Sequence, residues 1–204
     1  MWVLLELGQL LRFQTRHMKI VGISGKARTG KDTFAEYLVD NLGYTRISFA
    51  EPLKKCLYIL NPWVKSNDGY TTLRYQSIID EYGEDNAKVT YKEVRRLQQC
   101  FGTEVVRDNF GANFWVDLAF KRIADQKLQK VVIPDQRFHN EIAAVSQQTN
   151  HVLFKVISSR NTSSDTHVSE QDLPNYLFQE IIENNGSLDE YYSKIEEVAE
   201  KYSL

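Results

Sequence analysis

The run Gly25-Lys26-Ala27-Arg28-Thr29-Gly30-Lys31 constrains this chain more than any other feature. It matches G-x-x-x-x-G-K, follows the apolar stretch Ile20 to Ser24 and precedes a helical pattern that starts at Lys31. That strand–loop–helix setting is the one in which such a loop cradles phosphate. Its two glycines let the backbone curl so that successive N–H groups converge on an anion. The helix adds its positive N-terminal end, and Lys31 is placed to reach the β- and γ-phosphates of ATP. A glycine turn with a chance lysine is the alternative, and the agreement of motif with context argues against it.

One position departs from the usual pattern. Asp32 follows Lys31 where Ser or Thr commonly holds Mg²⁺, and Thr33 comes next. Asp32 can bind the metal through a water, leave that task to Thr33, or cap the helix, whose N-terminus favours a carboxylate. The loop with its first helical residues, Gly25 to Thr33, is thus the expected donor-nucleotide site.

Short apolar runs alternate with longer helical patterns, which predicts an α/β fold with a parallel sheet covered on both faces. The expected strands are Ile20 to Ser24, Tyr44 to Phe49, Lys130 to Ile133, Val152 to Ile157 and Glu180 to Glu183, with Pro134 ending the third. The expected helices are Lys31 to Asn41, Pro52 to Leu60, Tyr91 to Phe101, Phe114 to Lys127, Asn140 to Gln148 and Leu188 to Lys201. Asn61 to Ala87, rich in Asn, Asp, Gly and Tyr, and the polar loop Ser158 to Thr166 read as insertions. Residues 18–204 then form one domain, with a helical substrate-covering insertion between the second and third strands.

Residues 1–17 read as an N-terminal extension. Either Met18, followed at once by the first strand, is the natural start, or Trp2 to Leu11 is an added helix or one that packs on the sheet. This stretch is too short to span a bilayer and lacks a basic leader and a cleavage site. The formal net charge is −2, from 25 Lys and Arg against 27 Asp and Glu, so no nucleic-acid polymer is expected as a partner. Cys56 and Cys100 lack metal-ligand spacing and read as buried thiols of a cytoplasmic protein.

Further runs carry a resemblance. Ser48-Phe49-Ala50-Glu51-Pro52-Leu53-Lys54, the Gly-Lys-Asp-Thr form of the phosphate loop, and Gly83-Glu84-Asp85-Asn86-Ala87-Lys88 are the first of these. They are followed by Val94-Arg95-Arg96-Leu97-Gln98-Gln99-Cys100-Phe101-Gly102-Thr103-Glu104 with Arg107, then Phe114-Trp115-Val116. Asp135-Gln136-Arg137-Phe138-His139-Asn140-Glu141 and His167-Val168-Ser169-Glu170 come next. In this order they resemble the deoxynucleoside monophosphate kinases of tailed bacteriophages. The closing Ile182-Glu183-Asn184-Asn185-Gly186-Ser187-Leu188 is similar to a unit shared with dephospho-coenzyme A kinases. Glu84, Gln98 and His139 stand where the family often has Trp, Leu and Pro.

The resemblance implies a P-loop kinase three-layer sandwich with about five parallel strands and a helical substrate-binding insertion. It implies ATP with Mg²⁺ as donor, small nucleotides as partners, and a host-cell cytoplasm if the gene belongs to a phage; a homodimer is left open. Such an enzyme brings two polyanions together and excludes water, so positioning and charge neutralisation carry the rate.

On the acceptor side, Lys54, Arg95, Thr103 and Arg107 are the candidates, with a Gly102-Thr103-Glu104 turn expected between the arginines. Arginine's planar fork suits phosphate, although Arg95 also fits an exposed helix charge. Gln99 suits a base edge or the surface, and Glu104 a sugar hydroxyl or an arginine. Phe49 suits a base platform or the core, whereas Trp115 reads as core.

On the donor side, Asp135 is expected to hold a Mg²⁺-bound water just past a buried strand. Arg137 bridges the phosphates or pairs with Glu141. Arg160 opens a lid, Asn161 to Asp165, that closes on ATP. Asn184 and Gly186 run along the adenine, and His167 is a loop or hinge contact. The competing readings are a dephospho-coenzyme A kinase-like enzyme and a nucleotide-binding module without phosphotransfer.

Overall fold

The computed structural model describes residues 18–160, 167–170 and 173–204. The N-terminal stretch 1–17 and the expected lid Asn161 to Asp165 lie outside the described residues.

A five-stranded parallel sheet organises the larger of two compact units, which holds the chain up to Phe49 and again from Val116. Its strands are β1 (Lys19–Ser24), β2 (Thr45–Arg46), β5 (Lys130–Gln136), β6 (Asn150–Ile157) and β7 (Glu180–Glu183), in the order β2-β5-β1-β6-β7. Each neighbouring pair runs parallel. Central β1 and β6 are nearly continuous Val, Ile, Leu and Phe because they are covered on both faces. Helices α1 (Lys31–Leu42) and α7 (Leu188–Lys201) cover one face, where Val21, Phe34, Leu38, Phe154, Tyr191 and Ile195 form the core. Helix α6 (His139–Ser146) packs on β1 and β6 and buries Ile142 and Val145. Helix α5 (Phe114–Asp125) leads into the sheet unit.

Two strand expectations need correction. The run Tyr44 to Phe49 forms only a two-residue strand, after which Ile47 keeps one ladder bond to Val132 O at 2.9 Å. Pro134 does not end β5. The strand continues to Gln136 because the β1–β5 register shifts between Gly22 and Ser24, and this bulge accommodates a residue that has no N–H to give.

The second unit, Ala50–Trp115, has its own core of Leu57, Val64, Tyr75, Ile78, Ala87 and Val94. It contains α2 (Glu51–Leu60), an antiparallel hairpin of β3 (Trp63–Lys65) and β4 (Thr72–Arg74), α3 (Tyr75–Thr90) and α4 (Lys92–Cys100). The expected insertion is therefore mixed rather than purely helical. Alternation in Trp63-Val64-Lys65 and Thr72-Leu73-Arg74 buries Val64 and half-buries Leu73, and Ser66 to Thr71 close the turn. A glycine at φ 69° (Gly83) kinks α3. Cys56 is exposed on α2 and Cys100 half-buried, so the expectation of two buried thiols fails at Cys56.

Candidate functional site

The loop between β1 and α1 is shaped by two glycines whose replacement it does not tolerate. At Gly25, φ is 142° and a Cβ would lie 2.2 Å from the Val156 carbonyl oxygen. At Gly30, φ is 105° and a Cβ would lie 2.5 Å from Asn184 Nδ2. Inside the loop the Lys26 carbonyl accepts from Lys31 Nζ at 2.6 Å and from Thr29 Oγ1 at 3.0 Å. Lys31 and Thr29 are both buried.

Gly25→Ala should cost about 2 kcal/mol or more of stability, because it adds a clash to a forbidden dihedral. Gly43→Ala, at φ 70° with nothing within 4 Å, should cost only about 1 kcal/mol. Urea unfolding of the two variants checks the difference.

Asp32 sits in the first turn of α1 with its carboxylate exposed and engaged by the Arg46 guanidinium of β2. Of its three expected uses, the geometry supplies the helix-end position together with this ion pair. Thr33 is half-buried on the next position of α1.

Asp135, in the bulged end of β5, accepts from Ser48 Oγ at 2.6 Å and from Phe49 N–H at 3.1 Å. Both donors follow β2, so two adjacent strand ends fix one carboxylate. The Phe49 ring is 3% exposed. Phe49 is thus core rather than a base platform, and its backbone is what reaches the site. Nothing in the sequence marks Ser48 for this contact, because a single hydroxyl has no spacing signal.

Arg137 gives Nη1 to the Ser169 carbonyl at 3.2 Å, next to His167, whose Nδ1 accepts the Ser169 N–H at 3.2 Å. Buried Glu141 takes the backbone N–H groups of Arg137 (2.6 Å) and Phe138 (3.0 Å), a carboxylate at the N-terminus of α6. Arg160 donates Nη2 to the carbonyls of Asn185 (2.7 Å) and Gly186 (2.8 Å). Asn184 gives its side-chain amide to the Thr29 carbonyl at 3.0 Å, and its own carbonyl accepts from Ser158 Oγ at 2.8 Å.

In the second unit, the expected Gly102-Thr103-Glu104 turn is instead π-helical, Phe101–Arg107, continuing α4 without a break. Gly102 is buried there, with Leu53 Cδ2 3.1 Å from where a Cβ would stand and its carbonyl accepting from the Trp115 Nε1 at 2.9 Å. Arg95 and Arg107 therefore stand twelve positions apart on one helical run. Arg95, Gln99, Thr103 and Arg107 are half-buried, and Glu104 is exposed.

The departures at positions 84 and 98 belong together. Gln98 Nε2 donates to Glu84 Oε2 and to the fully buried Tyr75 hydroxyl, both at 2.8 Å. Gln98 thus ties Glu84 to the core of the second unit. Burial, assisted by the charge of Lys54, lowers the pKa of the neighbouring Lys88 ammonium.

For Mg²⁺, Asp135 offers the hard oxygen ligand that this ion accepts, directly or through water. Among the described residues no three His, Cys, Asp or Glu side chains gather as a metal cage.

A phosphate loop after the central strand of a parallel sheet, with a carboxylate at the adjacent strand end, is the arrangement of a P-loop nucleotide-binding fold. The Deoxynucleotide monophosphate kinase family matches residues 19–85 and 63–195, and the chain belongs to that family. It is 25% identical over 235 residues to the Deoxynucleotide monophosphate kinase of Enterobacteria phage T4, covering 87% of this chain and 97% of the relative. It is 25% identical to the enzyme of that name from Escherichia phage RB69, covering 89% and 99%. The Deoxynucleoside-5'-monophosphate kinase of Escherichia phage T5 is 24% identical, covering 84% and 94%. Among solved structures, TT1252 from Thermus thermophilus matches with a TM-score of 0.49 and 15% identity, covering 91% and 98%. Among the described residues no helix is long and apolar enough to cross a membrane.

Proposed function

We propose that the chain transfers the γ-phosphoryl group of ATP to deoxynucleoside 5'-monophosphates, yielding ADP and the deoxynucleoside diphosphate. The observation that carries this reading is the family match across residues 19–195. A phosphate oxygen of the acceptor attacks the γ-phosphorus, and the bond to the β–γ bridging oxygen breaks in line. The acceptor phosphate is already ionised at neutral pH, so no general base is assigned. Bound Mg²⁺ would neutralise charge on the donor phosphates.

The loop Gly25, Lys26, Ala27, Arg28, Thr29 and Gly30 offers backbone N–H groups to the donor, and Lys31 offers its ammonium. Asp135, held by Ser48 and the Phe49 N–H, would hold a metal-bound water, and the Thr33 hydroxyl is assigned to the same ion. Arg137 is assigned to the phosphates. Arg160, holding the carbonyls of Asn185 and Gly186, serves the donor together with Asn184 and Gly186 along the adenine. For the acceptor, Arg95, Arg107 and Lys54 supply charge, Gln99 a base contact, and Thr103 and Glu104 sugar contacts.

The test is a coupled ADP-release assay over the four deoxynucleoside monophosphates, with dephospho-coenzyme A as the competing acceptor. At least one deoxynucleotide should support turnover on the order of 1–100 s⁻¹. Absence of acceptor-stimulated ADP release with all four would overturn the reading, as would turnover with dephospho-coenzyme A alone.

A further inference from the structure

Two peptide groups of the phosphate loop are held from outside the loop. The Asn184 amide, just after β7, donates to Thr29 O at 3.0 Å. The hydroxyl of Tyr191, one turn into α7, donates to Gly30 O at 3.0 Å, a carbonyl that also takes the Phe34 N–H of α1 at 3.0 Å. In a trans peptide, C=O and the following N–H point in opposite directions. Turning the Thr29 and Gly30 carbonyls toward β7 and α7 therefore turns the Gly30 and Lys31 N–H groups the other way. Those are two of the donors a phosphate would need.

Tyr191 is 2% exposed, its ring would lie 3.0 Å from a Cβ at Gly30, and burial raises its hydroxyl's pKa, so it stays a neutral donor. The Ser187 capping box, with Glu190 N donating to Ser187 Oγ at 3.2 Å, fixes the start of α7 and so the height of Tyr191.

We propose that Tyr191 is a positioning residue for the donor nucleotide: its hydroxyl holds the Gly30–Lys31 peptide in the orientation that binds polyphosphate. This rests on reading Gly25 to Thr33 as the anion cradle and is independent of the acceptor's identity. Removing one such hydrogen bond should weaken the oriented state about three- to tenfold.

The test is Tyr191→Phe, which keeps the buried ring, compared with Tyr202→Phe. The Tyr202 hydroxyl bonds Gln179 O at 3.3 Å, away from the loop. Tripolyphosphate and ATP are titrated calorimetrically into each variant below its unfolding transition, which is measured separately. Tyr191→Phe should raise the Kd of both three- to tenfold and the KM for ATP in parallel, leaving the KM for the acceptor unchanged. Tyr202→Phe should leave all of these at parental values.

An unchanged tripolyphosphate Kd in Tyr191→Phe overturns the proposal, as does an equal loss in both variants, which would mark a general loosening. Should no deoxynucleotide be phosphorylated while Tyr191→Phe still weakens tripolyphosphate, the reaction assignment falls and this inference stands.

Discussion

Replacing Lys31 by Met is expected to lower kcat/KM by about 10³-fold while leaving the protein folded. The side chain is 5% exposed and its stem is packed, so Met keeps the apolar contacts and removes only the ammonium. That ammonium donates to the Lys26 carbonyl at 2.6 Å. Withdrawing a preorganised charge from a transferring phosphoryl group costs on the order of 10²–10³ in rate, and weaker donor binding adds to it. ADP release with saturating acceptor, thermal unfolding and tripolyphosphate calorimetry separate the contributions. Activity within tenfold of the parent in a folded Lys31→Met protein would show that the loop is not the donor site.

Asp135→Asn should be nearly as damaging, with a fall in kcat on the order of 10²-fold and a rise of about tenfold in the Mg²⁺ needed for half activity. Both carboxylate oxygens accept from donors, Ser48 Oγ and the Phe49 N–H. Asparagine offers one oxygen and would turn its NH₂ group toward one of those donors. Ser48→Ala removes a single hydrogen bond and keeps the charge, so it should cost only about fivefold. Mg²⁺ titration of turnover, with Mn²⁺ binding to the ATP-loaded protein as an activity-independent readout, distinguishes the two. An unaltered Mg²⁺ requirement in Asp135→Asn would remove Asp135 from the metal.

The elements that read clearly in the sequence are those whose signal is local and whose surroundings agree with it. β1 and β6 are apolar on both faces because both faces are covered, and α1, α2 and α7 carry their periodicity and end signals within a few residues of their observed bounds. The hairpin β3–β4 was hidden because six strand residues lie among turn formers, and only Val64 among them is fully buried. The π-helical continuation to Arg107 was hidden by Gly102, a residue that usually marks a stop. Here it lies inside a continuous helical run, with the Trp115 Nε1 donating to its carbonyl.

The site divides along the same line. Gly25, Gly30 and Lys31 were legible because seven consecutive residues, with the strand before and the helix after, contain the whole of that chemistry. Asp135 was legible as a carboxylate at the end of a buried strand, but the donors Ser48 Oγ and Phe49 N–H come from residues more than eighty positions away. The engagement of Asp32 by Arg46, the partnership of Glu84 with Gln98, and the burial of Phe49 equally depend on which elements become neighbours.

The sequence by itself determined the phosphate loop, the alternating α/β pattern and, through ordered motifs, the family. Only the tertiary structure decided what holds that loop in shape. Asn184 and Tyr191 reach Thr29 and Gly30 across 155 and 161 positions of sequence. No local spacing encodes such a contact, because it exists only once the strand order has brought β7 and α7 beside the loop that follows β1.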